Sequence, residues 1–239
     1  MKIYNAKWAL FGVLLLGMAG LAQADTITGI LATTLGGTNY QAYYDSTTNL
    51  TWLANANANG KMNWSAANTW ADNLSITGYN SAGQQVTVAG WGLPTTVQPD
   101  STCGYQINPG GGFPVQGYGF NCTGSQMGNL FYNGLGGTSG SSITSSHNGN
   151  YNDFSNVQPY YYWSATEYAP DTVGVSAWSF GFGNGDQGTD GKPAVLYAWA
   201  VHSGDPGAAP SVPEPGAFAL MLAGLALVGF AARRRLALR

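Results

Sequence analysis

Between Asp25 and Val212 the chain holds two cationic side chains, Lys61 and Lys192, against ten carboxylates. An ordinary globular surface is built on far more charge, about a quarter of all residues. This stretch must therefore be kept soluble by Gly, Asn, Ser, Thr and the polar edges of aromatic rings. It holds seven Trp, thirteen Tyr and six Phe, which excludes disorder by low hydrophobicity. It lacks the A/E/K/L/R richness of coiled coils and helical repeats. Its net charge of about −8 leaves no basic footprint, so nucleic acid is excluded as a partner. Such a length buries one sizeable core, and one loop-rich α+β domain is the expectation.

The remaining cations sit at the two ends. Lys2 and Lys7 precede an apolar run, Trp8 to Leu21, followed by Ala22-Gln23-Ala24. A basic start, a short apolar segment and an A-x-A site predict a signal peptide over residues 1–24. At the other end Pro213-Glu214-Pro215 precedes an uncharged stretch, 216–232, and then Arg233-Arg234-Arg235. Seventeen apolar residues are at the short limit for a transmembrane helix, and the arginines fix the cytoplasmic side. Residues 213–239 resemble the PEP-CTERM protein-sorting tail. That resemblance implies recognition by an exosortase-type membrane protease, attachment to the membrane through the helix before processing, and a destination in the cell envelope or outside it.

Between the ends, residues 25–39 read as a polar lead-in and 204–212 as a linker. Tyr40 to Asp45 and Asn49 to Ala54 flank a polar turn and predict a hairpin. Met62 to Leu74 predicts a helix capped by Asn63 and stopped by Gly78. Val86 to Leu93 reads as a strand. Residues 95–124 form a long Gly/Pro-rich loop containing both cysteines, Cys103 and Cys122. In an exported chain an even pair favours a disulfide, with two separate thiols as the alternative. Ser125 to Leu135 predicts a second helix, and 136–150 a mobile loop. Tyr160 to Ser164, Ala177 to Phe182 and Val195 to His202 predict strands, with Asn184 to Gly188 as a turn.

Five sequence words carry a second resemblance: Leu50-Thr51-Trp52-Leu53, Trp64 to Ala71, Gly90-Trp91-Gly92-Leu93-Pro94-Thr95, Tyr162 to Tyr168, and Tyr197-Ala198-Trp199-Ala200-Val201. Over residues 40–203 the chain resembles the Lcl-like C-terminal domain family. The resemblance implies a C-type-lectin-like α+β fold and extracellular recognition, one member being part of an adhesin for sulfated polysaccharide. Two family arginines are missing here, replaced by Gly92 and His202. Together with the acidic domain, this turns the expectation from polyanions to neutral glycans or a surface protein.

The candidate site residues follow. Tyr160, Tyr162 and Trp163 supply aromatic faces for sugar rings, with Glu167 beside them. Glu167 is also the one carboxylate to consider for glycosidase chemistry with Asp171. Asn184, Asp186 and Asp190 offer oxygen ligands of the kind Ca²⁺ takes, although the EF-hand pattern is absent and a plain hairpin turn is the alternative. No cofactor is otherwise expected. The chain has no G-x-S-x-G motif, and its two histidines, His147 and His202, have no zinc spacing. The expectation is a non-enzymatic recognition or adhesion module of the envelope or extracellular polysaccharide matrix. The alternatives are a ligand-free matrix protein, or an enzyme of the formylglycine-generating or glycosidase type.

Overall fold

The computed structural model describes residues 26–209; the expected signal helix, transmembrane helix and sorting residues Pro213, Glu214, Pro215 and Arg233 to Arg235 lie outside the described residues. Among the described residues no helix is long and apolar enough to cross a membrane. The domain is mainly β. Its first sheet has six antiparallel strands: β1 (Ile27–Ala32), β2 (Tyr40–Asp45), β3 (Leu50–Leu53), β5 (Ile76–Tyr79), β6 (Gln85–Val88) and β13 (Val201–Ser203), in the order β13-β3-β2-β1-β5-β6. Its second sheet runs β11-β10-β9-β12-β4, built from β4 (Lys61–Met62), β9 (Tyr161–Glu167), β10 (Ser176–Gly181), β11 (Asp186–Gly191) and β12 (Leu196–Tyr197). A separate hairpin pairs β7 (Tyr105–Ile107) with β8 (Gln116–Tyr118).

The predicted first hairpin forms because Asp45 closes its turn. The carboxylate accepts from the Thr47 amide at 2.9 Å and the Thr48 hydroxyl at 2.7 Å, and Asn49 takes the left-handed conformation. The last strand returns beside it, Val201 opposite Trp52. The predicted helix is α1 (Trp64–Asp72), with the Asn63 side chain accepting from the Ala66 amide. It buries Ala67 and Ala71 against Trp163, Leu93 and Leu196, covering one face of the second sheet.

Several expectations need correction. Residues 25–39 are not a lead-in: β1 lies inside the first sheet, paired with β2 over most of its length. Leu31 at φ 55° breaks its alternation, so Ile30, Leu31 and Ala32 are buried in succession. Gly78 does not stop α1, which ends at Asn73; it lies in β5, where an added Cβ would sit 3.0 Å from the Leu31 backbone. The predicted strand Val86 to Leu93 ends at Val88, and the chain turns at Gly90 (φ 82°). The second helix is short, α2 (Gln126–Asn129), and continues as a π-helical turn (Leu130–Gly134). The loop 136–150 is laced to the body: Ile143 is buried with its amide on the Phe182 carbonyl, and Asn148 donates to Leu135. The stretch 204–212 does not begin as a free linker, because Gly207 packs on Ile30 and accepts from the Ser81 amide.

Val195 to His202 divides into β12 and β13, and the chain passes from the second sheet to the first at Ala198–Ala200. Trp199 fills that crossing. It is fully buried, donates from Nε1 to the Leu53 carbonyl at 2.7 Å, and contacts the rings of Trp52, Phe154, Tyr162 and Phe182. Trp163 Nε1 and Trp64 Nε1 bond the Met62 and Ser164 carbonyls on the other face of the second sheet.

The cysteines form the expected Cys103–Cys122 disulfide across the β7–β8 hairpin. It closes a loop of nineteen residues' separation, worth about 3 kcal/mol in the chain-entropy account. The double substitution Cys103→Ala/Cys122→Ala is expected to lower the unfolding free energy by about that amount, measured by urea denaturation.

Candidate functional site

β9 runs through the middle of the second sheet, with a core on each side. Its alternation sends Tyr162 into the core shared with the first sheet and Trp163 into the core under α1, both with no exposed surface. Tyr162 and Trp163 are therefore structural, not the binding faces expected of them. The phenolic oxygen of Tyr162 accepts from the Gln158 amide, which fixes the entry to the strand. Tyr160, just before the strand, is 43% exposed. Lys61 Nζ lies 3.5 Å from its ring centroid and 5.2 Å from that of Tyr197. This cation–π contact holds Tyr160 in place and spends one of the two lysines.

Tyr161 points to the α1 side of the sheet, half-buried at the margin of the core under that helix. Its ring rests on Gly181: an added Cβ there would lie 3.0 Å from Tyr161 Cε1 and 2.8 Å from Asn184 Oδ1. Pro159, Tyr160, Tyr161, Gly181, Gly183 and Asn184 enclose an open cleft of about 220 Å³. The turn that carries Asn184 is pinned from behind. Tyr132 donates to the Gly185 carbonyl at 2.6 Å, the Gly140 amide donates to Asn184 O, and Gly185 has φ 81°.

Beyond the turn, β11 presents Asp186, Gly188 and Asp190 on the same face as Tyr161. Asp190 accepts from the Ser179 hydroxyl at 2.6 Å. A Cβ added at Gly188 would meet nothing within 4 Å, so the floor between the two carboxylates is open. Asn184 Oδ1 accepts from the Asp186 amide. Asn184, Asp186 and Asp190 do not form one cage, because Asp186 and Asp190 stand about 13 Å apart along the strand, and Ca²⁺ needs oxygens at about 2.3–2.6 Å. Among the described residues one group of Cys, His, Asp or Glu comes close enough to share an ion, Asp100 with Cys103 and Cys122, and both sulfurs are joined in the disulfide.

Glu167 is not beside the aromatic cleft. The β9–β10 register shifts between Ala177 and Ser179, and Glu167 ends the strand about 20 Å from Tyr161. It pairs with Lys192 at 3.0 Å, and Lys192 Nζ lies 4.4 Å from the Trp64 centroid. Asp171 instead accepts from the Val173 and Val175 amides in the following turn. The histidines have packing partners: His147 stacks on Tyr151, and His202 meets Trp91 edge-on. Gly92, whose amide and carbonyl bond Val201, lies next to His202.

Sequence reasoning missed Tyr161, Lys61 and Gly188. The signals were a lone lysine in an otherwise cation-free stretch and the glycine-dense run Gly181 to Gly191. Burial, and then the carboxylates of Asp186 and Asp190, push the Tyr161 phenol above its usual range, so it stays a neutral hydroxyl. Burial also pushes the Asp186 carboxyl upward. The folded state therefore holds that proton more tightly than the unfolded chain does. The contribution is fully present below the unfolded-state pKa and is lost as pH rises through the folded value. Relative to wild type, Asp186→Asn is expected to be more stable at pH 7 than at pH 3, measured by urea denaturation at both.

Residues 211–235 match the PEP-CTERM protein-sorting motif. No curated protein matches the chain, and no solved structure does. The motif marks the protein as exported, with a membrane-anchored precursor that an exosortase system sorts and processes for the cell envelope or the extracellular space.

Proposed function

We propose that the described domain is a non-enzymatic recognition module for neutral glycans, serving adhesion in the envelope or extracellular matrix. The observation that carries this reading is Tyr160, exposed on one side and clamped by Lys61 on the other, at the lip of the cleft with Tyr161 and Asn184. Sugar rings offer apolar C–H faces that stack on aromatic rings, and hydroxyls that donate to amide and carboxylate oxygens. Asn184 and Asp186 supply such acceptors, and Tyr161 remains an uncharged hydroxyl. The same carboxylates oppose sulfated and other polyanionic chains. The resemblance of residues 40–203 to Lcl-like, C-type-lectin-like domains also favours recognition over catalysis.

The enzyme alternatives find less support. A glycosidase pair needs carboxylates about 5–10 Å apart. Asp186 and Asp190 are farther apart along β11, and Glu167 is paired with Lys192. Chemistry of the formylglycine-generating type calls for a reactive cysteine pair, and here both sulfurs are joined in the disulfide.

Screening the exported protein on an array of neutral and sulfated glycans tests this reading. Neutral glycans are expected to be captured, with Tyr160→Ala about tenfold weaker and Lys61→Met about threefold weaker. Capture of sulfated glycans alone, or none at all, contradicts the proposal; the second outcome favours a ligand-free matrix protein. The sorting motif makes a separate prediction. Mass spectrometry of the mature form is expected to find a C-terminus near Pro213-Glu214-Pro215, and an intact Arg239 there would oppose processing.

A further inference from the structure

We infer that the site takes the interior of an extended, uncharged polysaccharide chain, laid across the strands from Tyr160 to the β7–β8 hairpin. This rests on the glycan reading above and specifies its ligand. Beyond β11 the second sheet is prolonged by Gly119, whose amide and carbonyl both bond Gln187 at 2.9 Å. Gly119 has φ 80°, and a Cβ added to it would lie 3.8 Å from Tyr105 Cβ and 4.0 Å from Asp186 Oδ1. Tyr105 and the Asp186 carboxylate thus flank one backbone position. Tyr105 is 62% exposed, and Phe120, the next residue along from Gly119, is 38% exposed.

The hairpin is held there firmly. Gln187 is buried and donates to the Gly117 carbonyl, and the disulfide joins the two sides of the hairpin. Two aromatic ends, exposed Tyr160 beside half-buried Tyr161, and the hairpin's exposed Tyr105 and Phe120, are therefore fixed relative to each other. Three strand spacings separate Gly119 from Tyr161, roughly 14 Å. One sugar ring cannot touch both ends. Between them lie Gly181 and the Asp186 acceptor, and the open floor at Gly188 adjoins Asp186 along β11.

Charge selects among chains. Among the described residues Lys61 is the one cation at this row, and Tyr160 covers it; Lys192 is occupied by Glu167. A polyanion would find carboxylates and no counter-charge. An uncharged chain finds ring faces at each end and acceptors between them.

Affinity electrophoresis through gels containing dextran, hydroxyethylcellulose or galactomannan tests the inference. Wild type is expected to be retarded by at least one, with free monosaccharides competing poorly. Tyr160→Ala and the exposed pair Tyr105→Ala/Phe120→Ala are each expected to weaken retardation about tenfold, with unchanged melting temperatures. Gly188→Leu, which fills the open floor without touching either aromatic end, should do the same. If Tyr160→Ala abolishes retardation while Tyr105→Ala/Phe120→Ala and Gly188→Leu behave as wild type, the extended chain is overturned and a single-ring site stands. If no uncharged polysaccharide retards wild type, the extended chain is overturned, and the glycan array then decides the simpler reading.

Discussion

The fold turns on Trp199. At Ala198–Ala200 the chain leaves one sheet and joins the other through residues that are buried outside any strand. Trp199 fills the space with its ring and meets the Leu53 carbonyl with its N–H. The Leu53 amide in turn bonds Ala200 O. Tyr162 packs on this indole, and its burial fixes the direction of its neighbours. Tyr161 must then face the α1 side, and Tyr160 must sit at the edge. The candidate site is thus a consequence of how the two sheets are stitched together.

Much of this was legible from residue patterns. Asn63 announced α1, Ser46-Thr47-Thr48 between two aromatic and β-branched runs announced the first turn, and two cysteines in an exported chain announced their bond. The failures have physical causes. β1 was hidden because Leu31 adopts positive φ and spoils the period of two. β11 was hidden because its sequence, Asp-Gln-Gly-Thr-Asp-Gly, has no apolar residue; it is a strand because β10 and the Gly119 bridge hold it on both sides. Val195 to His202 is uniform as a string, and only the tertiary crossing divides it.

The site itself was half legible. Alternation from Tyr161 to Trp163 was correct, while Tyr160 stands before the strand with its ring against Tyr161; alternation also does not say which face is wet. With cores on both faces of β9, the two central rings are lost to packing and the peripheral pair remains. Asn184, Asp186 and Asp190 read in the sequence as one set of calcium ligands. An extended strand spreads them, where a tight loop would have gathered them. Both lysines lie on aromatic rings, so the domain's small positive charge is turned inward to brace tyrosine and tryptophan.

The disulfide has a consequence in time and place. It braces the hairpin whose Gly119 lengthens the second sheet beside Asp186. Thiols in a cytosol are kept reduced, and those of an exported chain become oxidised. A newly made chain therefore carries an unbraced hairpin until it has left the compartment of its synthesis. The segment that carries Tyr105 and Phe120 is thus braced at the destination and not before.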